Sequence, residues 1–266
     1  MSTTLKSLLT GTLLTVGLAI VGTGQAMAAS LNATATVTAD NHYGLFYGDK
    51  AGKSLNLVGR NELGSLGSQG GYNWSTPESF DFKVNAADYL YMVVWDDQSV
   101  DESWLGQFKF SNGETLLSKS TDWEYMISKN SNPFSRQVSV AERDQGYLSN
   151  GDRFEGNVPK NGELAGEIQI GNWTTAQYRG TNGVGANATN PWGNISGIAQ
   201  NAEFLNTTTD SRLQAGTSGN TNYTIFRTRK SVAQLTSVPE PSSMLGLLAF
   251  GAVSVGSFVK RKSKTA

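Results

Sequence analysis

The sequence predicts an all-β sandwich, and three observations carry that reading. Glycine is abundant, with 30 residues in a chain of 266, and cysteine is absent. That mixture, rich also in Asn, Ser and Thr, suits short strands joined by turns rather than long amphipathic helices. Short apolar or alternating runs recur between clusters of Asn, Gly and Asp, as strands do. No fixed-period repeat and no linker divides the chain, so residues 29–236 form one folded unit of about 200 residues, enough to enclose a core.

The chain begins with the grammar of a secretory signal peptide, residues 1–28. Lys6 is its basic head and Leu8 to Val21 its apolar stretch. Ala26-Met27-Ala28 is an A-x-A cleavage signal, with Ala26 and Ala28 as the small residues that signal peptidase requires. Leu31 to Ala39 alternates loosely as a first strand, and Asp40-Asn41 turns the chain. Leu45-Phe46-Tyr47 is a short β run closed by a Gly48-Asp49 turn. Leu55 to Val58 is another, followed by a Gly/Ser loop that ends at Trp74. Phe80 to Asn85 alternates strictly, which gives a strand with one buried face. Tyr89 to Trp95 is a continuous apolar run of the kind buried on both faces of a central strand. Trp104 to Phe110 alternates, Asn112-Gly113 is a hairpin turn into Glu114–Leu117, and Trp123 to Ile127 is the next strand.

Residues 129–166 read as irregular, with Val138 to Arg143 open to helix or strand. Glu167-Ile168-Gln169-Ile170 alternates. A Gly/Asn-rich loop surrounds Pro191-Trp192-Gly193, Ile198 to Leu205 is open to helix or extended chain, and Asn222 to Arg227 is the last strand.

Several of these segments together resemble galactose-binding-like jelly rolls. Ala39-Asp40-Asn41 with Leu45-Phe46-Tyr47 is similar to the opening of such modules. Phe82 to Asp97, Leu105 to Trp123, Ala202 to Leu205 and Tyr223 to Arg227 are similar to later strands. The resemblance implies a jelly-roll β-sandwich of the type found beside glycoside hydrolases. The chain departs from it at Phe46-Tyr47-Gly48-Asp49, where the family has a V-N-G triplet. That departure bears on any sugar contact made by that loop.

Charge narrows the partners. The formal net charge is −1, from 21 basic and 22 acidic residues. Lys6 and the tail residues Lys260, Arg261, Lys262 and Lys264 account for five of the 21, so the body carries about −6. A mildly acidic body argues against nucleic acid as a partner and against docking on anionic lipid.

Chemistry candidates are few. Without cysteine there is no disulfide framework, thiol nucleophile or Cys-based metal site. Gly48 to Ser54 imitates a phosphate loop but carries Tyr47 where the first Gly belongs, so it reads as a turn with exposed lysines. His42, the single histidine, reads as part of a strand-entry turn, and no G-x-S-x-G occurs. Asp96, Asp97, Asp101 and Glu102 cluster after the apolar strand. Their carboxylates are the hard oxygen ligands that a structural Ca²⁺ takes, against the plainer reading of a solvated acidic loop. Apart from that ion no cofactor is expected. Trp74, Trp173 and Trp192, with Tyr72 and Tyr178, lie in or near Gly/Asn-rich segments, where flat rings beside amides suit stacking on sugars. Tryptophan in a β-sandwich is also commonly core.

The last residues, 237–266, form an address label. Val238 to Ser243 contains Pro239-Glu240-Pro241, Met244 to Val259 is uncharged and apolar, and residues 260–264 are basic. That apolar segment, 244–259, reads as a single C-terminal transmembrane helix, although its sixteen residues make about 24 Å, short for a hydrocarbon core of about 30 Å. Its glycines, Gly246, Gly251 and Gly256, do not follow a helix-dimer spacing. The basic end stays on the cytoplasmic side and places the body outside the cytoplasmic membrane. Triplet, span and tail in this order closely resemble the PEP-CTERM sorting signal. That resemblance implies an exosortase-type membrane enzyme as partner, cleavage near the triplet, and delivery to the cell surface or matrix of a bacterium that makes extracellular polysaccharide. The expectation for the whole is a non-enzymatic, polysaccharide-associated binding module. A secreted glycan-acting enzyme or a purely structural coat protein is the alternative.

Overall fold

The computed structural model describes residues 30–40, 42–61, 75–95, 103–131, 159–183, 193–207 and 222–236. The strands among them are β1 (Ser30–Asp40), β2 (His42–Gly48), β3 (Asn56–Arg60), β4 (Glu78–Asn85), β5 (Tyr89–Trp95), β6 (Ser103–Phe110), β7 (Thr115–Leu117) and β8 (Trp123–Ser131). After these come β9 (Thr174–Thr175), β10 (Gln177–Thr181), β11 (Glu203–Asn206) and β12 (Asn222–Thr228). Helix α1 spans Asn161–Ile170 and the single turn α2 spans Val232–Leu235. The strands form two six-stranded antiparallel sheets. One runs β10-β11-β6-β1-β4 with β7 also on β6; the other runs β3-β2-β5-β12-β8-β9. The all-β expectation therefore holds, with few helices.

Side-chain alternation explains how the sheets meet. Ala33, Ala35 and Val37 of β1 and Trp104, Phe108 and Phe110 of β6 share one buried cluster with Leu45 of β2, Leu90, Met92 and Val94 of β5, Trp123 of β8 and Phe226 of β12. The two sheets thus face each other across a common apolar layer. At its centre Trp104 stands edge-on to Trp123, centroids 4.6 Å apart, and to Phe226 at 5.8 Å. Such pairs contribute about 0.5–1.5 kcal/mol each beyond their buried area. The small alanines of β1 leave room for these rings.

The apolar run Tyr89–Trp95 is buried on both faces because each face has a cover. Leu90, Met92 and Val94 point into the shared layer. Tyr91, Val93 and Trp95 point outward and join Phe46, Met126, Tyr223 and Ile225 beneath Leu164 and Ile168 of α1. The alternation Glu167–Ile170 is therefore not extended chain. It closes a helix whose apolar residues lie four apart, on one face. The segment Ile198–Leu205, open in the sequence, is an irregular stretch followed by β11. Ile198 and Ala202 of that stretch, with Ile195 just before it, cover Leu105 and Phe204 on the outer face of the first sheet. The Asn182 side chain staples it there, donating to the Ile195 and Ile198 carbonyls (2.9 and 2.8 Å) and accepting the Ile195 N–H (2.7 Å).

The two poles of the fold differ. At one, short turns join the strands: residues 49–55 after β2, 86–88 after β4, 111–114 after β6, and 118–122 before β8. At the other lie the ends of β1 and β5 and the starts of β2, β6 and β12, as the pairs Asp40↔Ser103 and His42↔Trp95 show. No described helix is long and apolar enough to cross a membrane.

Candidate functional site

The end of the folded body is held tightly. Two N–H groups of α2 are satisfied by the 86–88 turn: Val232 donates to the Asp88 carbonyl (2.8 Å) and Ala233 to the Ala86 carbonyl (2.7 Å). Both side chains are buried. The Thr236 hydroxyl donates to the Val232 carbonyl (2.7 Å), and Asn112, in the 111–114 turn, donates its amide to the Thr236 carbonyl (3.1 Å). The chain is thus fixed to the turn-built pole up to the residue before the address label.

Trp173 is the one sequence-selected tryptophan among the described residues. It is half-buried and follows α1, donating its indole N–H to the Ile168 carbonyl at 3.4 Å. The Arg227 guanidinium lies over its ring, 3.8 Å from the centroid, and 5.9 Å from the Tyr89 ring. Arg227 is 5% exposed, forms an ion pair with Glu124 and donates to the Lys50 carbonyl at 2.7 Å. Here a buried cation is paired and hydrogen-bonded, as low dielectric demands. One face of Trp173 is therefore taken by the protein itself. Tyr178, on the edge strand β10, is an exposed aromatic residue at 49%.

The Gly48–Ser54 segment is a turn closed by Asp49 rather than a phosphate cradle. The Asp49 carboxylate accepts from the Ala51 N–H (2.8 Å), the Ser54 N–H (2.7 Å) and the Ser54 hydroxyl (2.6 Å). Burial acts to raise its pKa, but these hydrogen bonds outweigh it and hold the carboxyl below its ordinary value. Tyr91 donates its hydroxyl to the Asp49 carbonyl (2.6 Å), and burial pushes that phenol up. His42 is fully buried and its ring stacks on Trp95 at 5.7 Å.

Trp74, Trp192, the acidic set Asp96, Asp97, Asp101 and Glu102, the cleavage residues Ala26 and Ala28, and Pro239, Glu240 and Pro241 lie outside the described residues. Among the described residues no group of three metal-ligating side chains comes together.

Concavities with described walls differ in size and chemistry. A cavity of about 10 Å³ lies between the sheets at the far pole, lined by Asp40, Trp95, Ser103, Asn206, Thr207 and Thr224 among others. It has the volume of a single water and is far too small for a sugar ring. A groove of about 220 Å³ runs between β8 and α1, lined by Met126, Lys129, Glu167, Ile170 and Asn172. A cleft of about 270 Å³ lies at the turn-built pole beside α2, lined by Thr115, Lys119, Asp122, Lys230, Gln234 and Leu235. Neither the Arg227 cluster nor this cleft was visible from spacing. The available signal was a single Arg on the outward, apolar positions 223, 225 and 227 of the last strand, where a charge must find a partner.

Against known proteins, residues 237–262 match the PEP-CTERM protein-sorting motif. The match starts one residue after Thr236, the last of the described residues. No curated protein and no solved structure matches the chain. The motif implies a protein that is exported, anchored at its C-terminus and sorted to the surface by exosortase.

Proposed function

We propose that the body is a non-enzymatic, polysaccharide-associated module, anchored first in the cytoplasmic membrane and then released by exosortase to the cell surface or extracellular matrix. The observation that carries this reading is the sorting motif joined directly to a compact β body. Two antiparallel sheets with a chain that passes repeatedly between them support a jelly roll of the galactose-binding-like kind. The groove between β8 and α1 supports the saccharide role. It pairs an apolar floor, Met126 and the 72%-exposed Ile170, with the Asn172 amide, the Glu167 carboxylate and the Lys129 ammonium. Its 220 Å³ is below the roughly 300–1,000 Å³ of sites that enclose a drug-sized ligand. That scale fits one sugar unit of a long chain, with Tyr178 available elsewhere for stacking.

Sedimentation of the purified protein with the host's own matrix polysaccharide tests the reading. Co-sedimentation is expected, weakened several-fold by Asn172→Ala with Ile170→Ser. No association with any fraction of the matrix removes the polysaccharide role and leaves a coat protein. Turnover of the polysaccharide, lost on neutralising Glu167, establishes an enzyme instead.

A further inference from the structure

We propose that the turn-built pole is the membrane-facing surface of the anchored protein, and that the cleft between Lys119 and Lys230 takes the phosphate-bearing headgroups of anionic lipid. The inference rests on the C-terminal anchoring given above and adds an orientation and a ligand class to it.

Reach fixes the orientation. Thr236 is hydrogen-bonded to the body through Asn112 and Val232. Seven residues, 237–243, separate it from Met244, where the apolar segment begins. At about 3.3–3.6 Å each they span at most about 25 Å. Strand β1, eleven residues long, stretches about 36 Å from pole to pole at about 3.3 Å per residue. A tether of that length cannot bring the far pole to the bilayer, whereas the pole it leaves from is held beside it.

Charge and shape indicate what that pole meets. Lys50, Lys53, Lys83, Lys109, Arg229 and Lys230 are exposed there and Lys119 is partly so. The opposing groups are Asp49 and Asp88 in the 49–55 and 86–88 turns, Asp81 on β4, level with Lys109, Glu203, 3.8 Å from the Lys119 ammonium, Asp122, which feels Lys230, Lys119 and Arg229 together, and the exposed Glu114. The acidic net charge of the body does not decide the matter. Charges beyond a Debye length of about 8–10 Å are screened, so the facing pole alone acts on the membrane. In the cleft two ammonium groups stand beside the Thr115 hydroxyl, the Gln234 amide and the single carboxylate of Asp122, and Leu235 forms an apolar wall. The ammonium, hydroxyl and amide groups are donors for phosphate oxygens, with a rim for the glycerol backbone.

The test uses the anchored full chain in nanodiscs of phosphatidylcholine, with or without phosphatidylglycerol. The chain lacks cysteine, so Glu114→Cys at the turn-built pole and Thr76→Cys at the far pole each carry one fluorophore. The readout is quenching by a headgroup-borne quencher. Expected is strong quenching at position 114 and little at 76, deepened by phosphatidylglycerol. Lys119→Gln with Lys230→Gln is expected to reverse that deepening by roughly 30-fold in the docked-to-free ratio, as for two lysines at an anionic surface. An unchanged melting temperature shows that the variant is folded. Equal quenching at 114 and 76, or no dependence on phosphatidylglycerol or on the two lysines, overturns the proposal while the anchor stands. A chain that does not co-migrate with nanodiscs overturns the anchoring itself, and the proposal with it.

Discussion

Arg227→Met is the substitution that most severely tests the outer face of the second sheet. It keeps the length and apolar stem of the side chain but removes its charge. Glu124, whose side chain is 18% exposed, is then left without its cation. Breaking a buried pair from one side costs about 3–5 kcal/mol, and the residual water at Glu124 puts this case at the low end. The Lys50 carbonyl loses a donor at 2.7 Å, about 1 kcal/mol, and Trp173 loses a cation at 3.8 Å, about 0.5–2 kcal/mol. These terms overlap, so the expected loss is about 3–5 kcal/mol. At about 2–4 °C per kcal/mol for a domain of this size, the midpoint of thermal unfolding followed by circular dichroism falls by about 6–20 °C. Adding Glu124→Gln recovers part of that loss, because the stranded carboxylate is gone. A fall under about 2 °C, or strictly additive losses in the double variant, refutes the view that this cation ties β12, β8 and the 49–55 turn together.

Other outcomes follow from the same structure. Gly52→Ala places a Cβ 2.8–2.9 Å from Ile168 side-chain atoms at φ +69, so it costs about 1–3 kcal/mol, and faster hydrogen exchange in α1 reports it. Asp49→Asn removes a carboxylate whose pKa is lowered in the fold. Its stabilisation is present above the unfolded value of about 4 and is lost as pH falls through the folded one. The wild-type advantage in unfolding experiments is therefore steady at neutral pH and disappears in acid. Asp122 is the opposite case: burial raises its pKa, against the pull of Lys230 and Lys119. Its protonated form is favoured by the fold, and stability is lost as pH rises through the folded value. Asp122→Asn accordingly raises the melting temperature at pH 7, with no gain at about pH 3.

Local pattern made much of the fold legible. The seven-residue run Tyr89–Trp95, the alternation of Phe80–Asn85 and the Asn112-Gly113 turn each state their structure within a few residues. Helix α1 did not, because its buried apolar residues are only Leu164 and Ile168, diluted by Gly162 and Gly166 and masked by the alternation at its end. The role of Trp173 was hidden for a different reason. Its partner Arg227 is 54 positions away and meets it only once β8, β12 and α1 have assembled. The lysine cleft likewise joins the 118–122 turn to α2, and the overall charge of the chain averages it away. The sorting motif was legible because it is linear: it acts through order along the chain, not through folding.

That motif is the centre of the account, and processing in the native bacterium tests it most directly. Pro239-Glu240-Pro241 is changed to three alanines, and the chain is followed by mass in membrane and surface fractions. The wild-type chain is expected at the surface shortened near residue 239, while the variant stays in the cytoplasmic membrane at full C-terminal length. Equal release of both, or a surface protein that still carries Met244 to Ala266, contradicts that expectation.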